Sequence, residues 1–209
     1  TSQMRGASGS ASAPAYSFDG DSDSGMLRGG VNILSFATAG TERLRIDSSG
    51  RLLTGGATTS QGSTNADDLQ IGAEDQGNQT GITLGSASAS SIRFADAAND
   101  TAGAVYYIHG DDTLRLHAGG GERLRITSDG QIGINKSSPK AWNTSYTSLQ
   151  IQDGGYIVGS SDDSFVAIGA NNYLDTGGSY DYTHSDFASQ LYQVNGELVF
   201  RNAASGTAD

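Results

Sequence analysis

The sequence predicts an all-β fold, because one strand-forming pattern occurs twice. The first copy is residues 40–50 and the second is residues 120–130, eighty positions later. In each copy Leu and Ile alternate with Arg, as in a strand with one apolar and one polar face. Turn-forming residues that end in Gly follow, and the chain then enters a second apolar segment. Each copy therefore predicts a β-hairpin, and no segment has the spacing of an amphipathic helix.

The eighty-residue spacing continues on both sides of the hairpin. Leu34 and Phe36 correspond to Leu114 and Leu116, and a partial third copy begins at Glu197. A fixed period is typical of repeats that stack along one axis. We therefore expect tandem repeats of about 80 residues, divided into a connector over 1–15, a first β-repeat with its hairpin over 16–66, a second over 67–140, and a Tyr-rich β-segment over 141–209 that starts a further repeat.

Short apolar segments bounded by Gly, Asn, Asp and Ser predict the remaining strands. They lie at 16–18, 31–36, 81–85, 91–95 and 103–109. The stretch 19–25 is rich in Asp, Ser and Gly and predicts a turn. The connector is expected to be extended or irregular.

Composition and charge exclude several classes of protein. The net charge of −11 argues against binding to nucleic acid or to an anionic membrane surface. The chain has no Cys, which excludes a disulfide framework and thiolate metal sites. No apolar run reaches the ~18 residues of a membrane span, so no membrane insertion is expected. The chain starts at Thr1 and stops at Asp209 within polar sequence, so we expect it to be a segment of a longer or processed polypeptide.

The supply of large apolar side chains is small. Gly accounts for 30 of the 209 residues, and much of the 35% hydrophobic share is Ala. A lone two-stranded hairpin is marginal in water, and free strand edges invite pairing. Three parallel copies around an axis would bury the Leu and Ile faces and cover the edges. Homotrimerisation is therefore a physically sensible answer to a small core, although these residues do not fix the number three by themselves. The residues expected to form the core between copies are Leu44, Ile46, Leu124, Ile126, Ile132 and Ile134.

The two hairpin copies resemble the recurrent unit of tail fibres from marine and cyanobacterial bacteriophages. Residues 39–50 and 121–134 carry the resemblance, and Pro139 follows the second copy, as is common in that family. The first copy departs from the pattern, because it has Leu52-Leu53 in place of a Gly-containing segment and no proline follows. The resemblance covers residues 11–135 well and 136–209 loosely.

The resemblance implies an elongated, fibrous, parallel homotrimer of short strands on a virion, outside the cell. The implied partners are the other copies of the chain, other tail-fibre or tail proteins, and a host cell-surface glycan or protein. The implied function is a structural segment that positions or contributes to binding of the host receptor. Comparable repeats occur in bacterial surface proteins, so a glycan-binding surface adhesin is an alternative.

Asp19, Asp21 and Asp23 are the candidate metal ligands, because alternating carboxylates occur in calcium-binding loops. An EF-hand loop would need Gly and Glu where Ser24 and Gly30 stand. The preferred interpretation is a polar turn, with Ca²⁺ as the alternative and no other cofactor.

No catalytic residues are identified. Acidic pairs that could serve glycoside hydrolysis, as in a polysaccharide-degrading tailspike, lie at 67–68, 111–112 and 162–163. Each pair precedes a short strand, where Asp is a common turn residue, and adjacent strand residues point to opposite faces. The three histidines lack the spacing of zinc ligands: His109, His117 and His184. The sequence therefore predicts a protein that is not an enzyme.

Two further groups of side chains are candidates for contacts. Aromatic rings with a polar tip suit sugar stacking, and the candidate glycan contacts are Trp142, Tyr146, Tyr180 and Tyr182. The preferred alternative places these rings in the core of a wider β-domain. The strand arginines are expected on the polar face of their strands, in ion pairs within the sheet or between chains: Arg43, Arg45, Arg123 and Arg125.

Overall fold

The computed structural model describes residues 6–63, 67–73, 80–161 and 164–207. Within these residues the chain forms strands, turns and loops and no helix, so the predicted all-β class is confirmed. No helix long and apolar enough to cross a membrane occurs in this described part. The chain divides into two units, Thr1–Thr83 and Leu84–Asp209.

The first unit contains one sheet of six strands. A two-residue pair, β1 (Gly9–Ser10) and β2 (Ala13–Pro14), precedes it. The strands of the sheet follow in chain order as neighbours: β3 (Tyr16–Phe18), β4 (Asp21–Gly30), β5 (Ile33–Thr38), β6 (Thr41–Ile46), β7 (Leu52–Thr54) and β8 (Leu69–Ile71). All neighbours are antiparallel except β7 and β8, which are parallel.

The second unit contains one sheet of ten strands and a two-stranded ribbon. From one edge to the other, the sheet consists of β9 (Ala89–Phe94), β10 (Gly103–Ile108), β11 (Thr113–Ala118), β12 (Gly121–Ile126), β13 (Ile132–Ile134), β14 (Tyr146–Ile151), β15 (Gly155–Ser160), β16 (Phe165–Ala170), β19 (Ala188–Val194) and β20 (Glu197–Ala203). The ribbon pairs β17 (Asn172–Leu174) with β18 (Tyr180–Tyr182). Only β13 and β14 are parallel neighbours among these strands.

The hairpin predicted twice from the sequence is confirmed in both units. Strands β6 and β7 pair antiparallel, and β12 and β13 pair in the same way. The turns between them contain Gly50 at φ 85° and Gly130 at φ 84°, a conformation that glycine adopts without steric cost. The parallel step from β7 to β8 also recurs from β13 to β14, with Leu52 opposite Leu69 and Ile132 opposite Leu149.

Three local expectations differ from the structure. Residues 21–25 belong to the long strand β4 and not to a turn. The two ends of this stretch pair with β3 through Asp21 and Gly25, and Gly25 also pairs with β5, while the Asp23 carbonyl accepts from the Gly40 amide at 3.0 Å. Residues 81–85 form no strand, and no other segment pairs with their backbone in the described part of the chain. Part of the connector forms the short pair β1 and β2; residues 1–5 lie outside the described residues.

Candidate functional site: an open apolar sheet face

A continuous row of apolar side chains crosses the ten-stranded sheet. Each member lies directly opposite the next on the neighbouring strand, from β11 to β20: Leu114, Ile126, Ile132, Leu149, Ile157, Ile168, Leu191 and Phe200. A second, shorter row lies two residues away from the first along the strands. It consists of Val105, Leu116, Leu124, Ile134 and Ile151. We call the surface formed by these two rows the open face of the second unit.

The open face is only partly sheltered by its own chain. Leu114 is 37% exposed, Ile168 is 55% exposed and Phe200 is 76% exposed. Scattered apolar residues on a surface are ordinary, whereas a contiguous apolar patch marks an interaction site. The rows are therefore the strongest candidate for a functional surface in this unit.

The first unit carries the same feature in a shorter form. Leu34, Ile46, Leu52 and Leu69 lie opposite one another in succession and correspond to the start of the longer row eighty residues later. Leu69 is the most exposed of the four. We call this row the open face of the first unit.

Five of the six residues predicted to form a trimer core belong to these open faces, and the sixth, Leu44, lies two residues along β6 from Ile46, opposite Phe36. Ile46 and Ile134 are exposed, and Leu44, Leu124, Ile126 and Ile132 are half-buried. None of them is wholly enclosed by its own chain.

The opposite face of each sheet is covered, and it holds Arg45 in the first unit and Arg125 in the second. The prediction that Arg45 and Arg125 lie on a solvated face is wrong, because their side chains are only 13% and 14% exposed. Arg45 donates to both carboxylate oxygens of Glu42, at 2.5 and 3.0 Å, and to the Thr58 carbonyl at 2.8 Å. Arg125 donates to both oxygens of Glu122 at 2.8 Å.

A β-bulge brings each Glu and Arg onto one face. Phe36 pairs with Leu44 and Ala37 with Glu42, so Arg43 has no partner across the ladder. The same register shift in the second copy leaves Arg123 without a partner across the β11–β12 ladder. One extra residue reverses the alternation, so side chains three positions apart point the same way. Alternation alone did not predict this pairing.

In the second unit, a buried network of polar side chains connects the covered face of the sheet to the segment that crosses it. The side-chain oxygen Oε1 of Gln131 accepts from the Ser148 backbone amide at 2.9 Å and from the Ser148 hydroxyl at 2.7 Å. Gln150 bonds Lys140 through both ends of its amide at 2.8 Å, which fixes the segment between β13 and β14 over the sheet. Sequence reasoning missed these residues, because an isolated Gln in or next to a strand gives no sign of burial.

Comparison of the chain with family models, with curated proteins and with solved structures found no match. The candidate sites therefore rest on the geometry of the described residues.

The aromatic residues divide between the covered face and the surface. Trp142 is 3% exposed and packs edge-on against Tyr156 at 4.8 Å and against Tyr173 at 6.5 Å. Tyr146 meets Phe165 edge-on at 5.6 Å. These contacts favour the core interpretation for Trp142 and Tyr146. Burial raises the pKa of the Tyr156 phenol well above its ordinary value.

Tyr180 and Tyr182 lie nearer the surface. Tyr182 donates its hydroxyl to the Ala204 carbonyl at 2.9 Å, while Tyr180 is exposed. Tyr180 lines a crevice of about 180 Å³ between the ribbon and the β19–β20 hairpin, together with Gln190 and Arg201. Gln190 is buried, and its Nε2 has no hydrogen-bond partner among the described residues.

Several of the acidic residues considered for glycoside hydrolysis bind other side chains of the chain. Asp67 and Asp111 form ion pairs with Arg51 and Arg115. Asp112 accepts a hydrogen bond from the Tyr107 hydroxyl at 3.1 Å, and the pair at 162–163 lies outside the described residues.

The candidate metal ligands are Asp19, Asp21 and Asp23, and all three are exposed. The described residues contain no cluster of three or more His, Asp or Glu side chains placed to hold a metal ion. His109 and His117 each pack edge-on against a tyrosine, and His184 lies beside Thr183.

Proposed function

We propose that this chain is a structural, non-enzymatic segment of a homotrimeric phage tail fibre, exposed on the virion. Three parallel copies associate through their open faces, and the resulting fibre positions host-receptor binding or contributes to it. The single observation that carries the proposal is the pair of open faces, which present the same Leu and Ile pattern in both units.

The energetic argument depends on the size of the open face. Complete burial of a Leu, Ile or Phe side chain is worth roughly 1.5–3 kcal/mol, so a residue that is about 40% exposed offers roughly 0.5–1 kcal/mol. Association costs about 4–15 kcal/mol in lost freedom of motion, so only many such residues acting together stabilise a complex. The continuous rows place many partly exposed apolar residues on one surface.

The pattern favours identical partners. Parallel copies related by rotation about an axis bring the same row of each chain to the same height, so that Leu and Ile contact Leu and Ile. The net charge of −11 opposes the alternative that an anionic membrane covers the face. A trimer also presents three copies of any receptor-binding site, which raises avidity through effective concentration.

Sedimentation of the whole chain tests the proposal, because it reports mass and shape together. We expect a mass three times that of one chain and a frictional ratio typical of an elongated particle. Ile168→Asp places a charge in the row and is expected to lower the mass to that of one chain. Ser128→Asp adds the same charge in an exposed turn and is expected to leave the trimer intact. A wild-type chain that sediments as a monomer would overturn the proposal.

A second candidate function, glycan binding, is favoured by the Tyr180 crevice. An exposed ring that lines the crevice together with Arg201 offers stacking beside a guanidinium donor for sugar oxygens. Glycan-array binding by the whole chain is expected to be lost in Tyr180→Ala. It is expected to persist in Phe187→Ala, which removes an exposed ring outside the crevice. Equal binding by both variants, or none by the wild type, contradicts this function.

A further inference from the structure

Strand β20 forms a free edge of the ten-stranded sheet. It pairs with β19 and with no other strand among the described residues. Leu198 is 65% exposed and Phe200 is 76% exposed, so the edge is apolar as well as unpaired. Long apolar edges of this kind accept a further strand unless something covers them.

The two strands that β20 resembles in sequence both have a further strand paired along the corresponding edge. Leu198 and Phe200 repeat the spacing of Leu34 and Phe36 in β5 and of Leu114 and Leu116 in β11. β6 pairs along β5, and β12 pairs along β11. The equivalent Leu116 is 39% exposed, about half the value of Phe200. The chain therefore contains two examples, β6 and β12, of a strand that pairs along this type of edge.

The backbone of β20 is oriented to receive such a strand. Asn195 and Gly196, at φ 51° and 82°, form the two-residue turn to β19, and Val194 lies opposite Glu197. In hairpins of this kind the residues that flank the turn exchange hydrogen bonds, and the alternate residues point outward. The amides and carbonyls of Leu198, Phe200 and Asn202 therefore face the free edge.

The charges at this edge also match. Glu122 lies opposite His117 in the β11–β12 pair, and Glu42 lies opposite Ala37 in the first copy. The position in β20 that corresponds to His117 is Arg201, whose guanidinium lies over the Tyr192 ring at 4.6 Å. A strand docked in the register of β12 would place its Glu opposite this cation.

We propose that β20 is a docking edge for an incoming antiparallel strand of the Glu-Arg-Leu-Arg-Ile type. In the docked strand Leu lies opposite Phe200, Ile opposite Leu198, and Glu opposite Arg201. The inference concerns a sheet edge and does not require the trimer, which forms through the open faces.

A peptide with the sequence of residues 119–127, Gly-Gly-Gly-Glu-Arg-Leu-Arg-Ile-Thr, is the probe. We expect saturable binding to the whole chain and slower amide exchange at Leu198, Phe200 and Asn202, the three amides that face outward. A control peptide of the same composition, in which Arg-Arg-Leu-Ile breaks the alternation, is expected not to bind.

Two substitutions separate backbone pairing from side-chain contact. Phe200→Pro removes an outward N–H without removing a bond to β19, and is expected to weaken binding by about tenfold or more. Phe200→Ala keeps the N–H and is expected to weaken binding less. Arg201→Glu is expected to weaken binding of the probe, and a probe with Glu122→Arg is expected to restore it.

Three results would overturn the inference. They are absence of saturable binding, equal binding of the control peptide, and binding that leaves the three outward amides unprotected. Protection of these amides without peptide, together with a mass above that of the trimer, would assign the edge to pairing between copies and would also overturn it. The sedimentation mass of the peptide-free chain is a separate measurement, so a failure here is distinguishable from a failure of the trimer.

Discussion

Glu122 and Arg125 face each other across 2.8 Å on the covered face of the second sheet, although they are three residues apart in one strand. The bulge at Arg123 makes this possible. Glu42 and Arg45 repeat the arrangement eighty residues earlier. Because both side chains of each pair are largely buried, the pair neutralises charges that would be costly to leave alone.

Replacing Glu122 by Ala is expected to destabilise the fold by roughly 1.5–3 kcal/mol, because Arg125 loses a charge-assisted hydrogen-bond pair in a sheltered site. Arg123→Ala removes the neighbouring exposed arginine and is expected to change stability by less than about 0.5 kcal/mol. Urea unfolding at one fixed protein concentration measures both. Equal losses in the two variants would contradict the role given to the pair.

Gly133 is expected to tolerate no side chain. A Cβ at this position would lie 2.5 Å from the Lys136 carbonyl oxygen and 2.9 Å from Pro139 Cγ. The Gly133→Ala variant is therefore expected to lose about 1–3 kcal/mol of stability through overpacking. Gly154→Ala is the matched control, because a Cβ there meets no atom within 4 Å. Thermal unfolding curves that coincide for the two variants would refute the close approach.

The turn between β5 and β6 contains a strained residue. Ala39 has φ 49°, and the equivalent residue of the second copy is Gly119 at φ 59°. A left-handed conformation costs a non-glycine residue about 1–2 kcal/mol, while glycine adds entropy to the unfolded chain. Ala39→Gly is expected to raise the urea midpoint modestly, by a free energy of up to about 1 kcal/mol.

The neighbouring Gly40 supplies the converse experiment. It has φ 68°, and a Cβ there meets no atom closer than 3.8 Å, so Gly40→Ala adds backbone strain without a clash. This variant is expected to lower the midpoint. A fall in stability for Ala39→Gly would show that the turn is not strained in solution.

Acid is expected to destabilise the first unit through Asp47. The Arg51 side chain, which donates to Asp47 at 2.8 Å, lowers the pKa of this carboxyl below its ordinary value of 3.8. A carboxyl with a depressed folded-state pKa stabilises the fold above its unfolded pKa, and this contribution is lost as pH falls through the folded value. Asp47→Asn is therefore expected to reduce the loss of stability between about pH 4 and about pH 2.

Arg51→Gln provides a second route to the same effect. Arg51 also lowers the pKa of Asp67, which it contacts at 2.6 Å. Its removal is expected to flatten the acid dependence more than Asp47→Asn does. Urea midpoints across this pH range measure the slopes, and parallel slopes in all three proteins would contradict the assignment.

Much of the fold followed from the sequence by itself. The alternation of Leu and Ile with Arg determined the strands β6 and β12, and the glycines at 50 and 130 determined the turns that follow. The eighty-residue spacing determined that both units repeat one hairpin, while the parallel step that follows each hairpin was found only in the structure. These features are local, so a period of two and a residue able to adopt positive φ are sufficient to predict them.

Only the tertiary structure decided which face of each sheet is covered. Alternation separates two sets of side chains, but it cannot say which set the rest of the chain crosses. The segment that carries Trp142, anchored through Gln150 and Lys140, lies over the face that holds Arg125. Burial depends on contacts between residues distant in the sequence, and for that reason the arginines are sheltered while the row from Leu114 to Phe200 stays open.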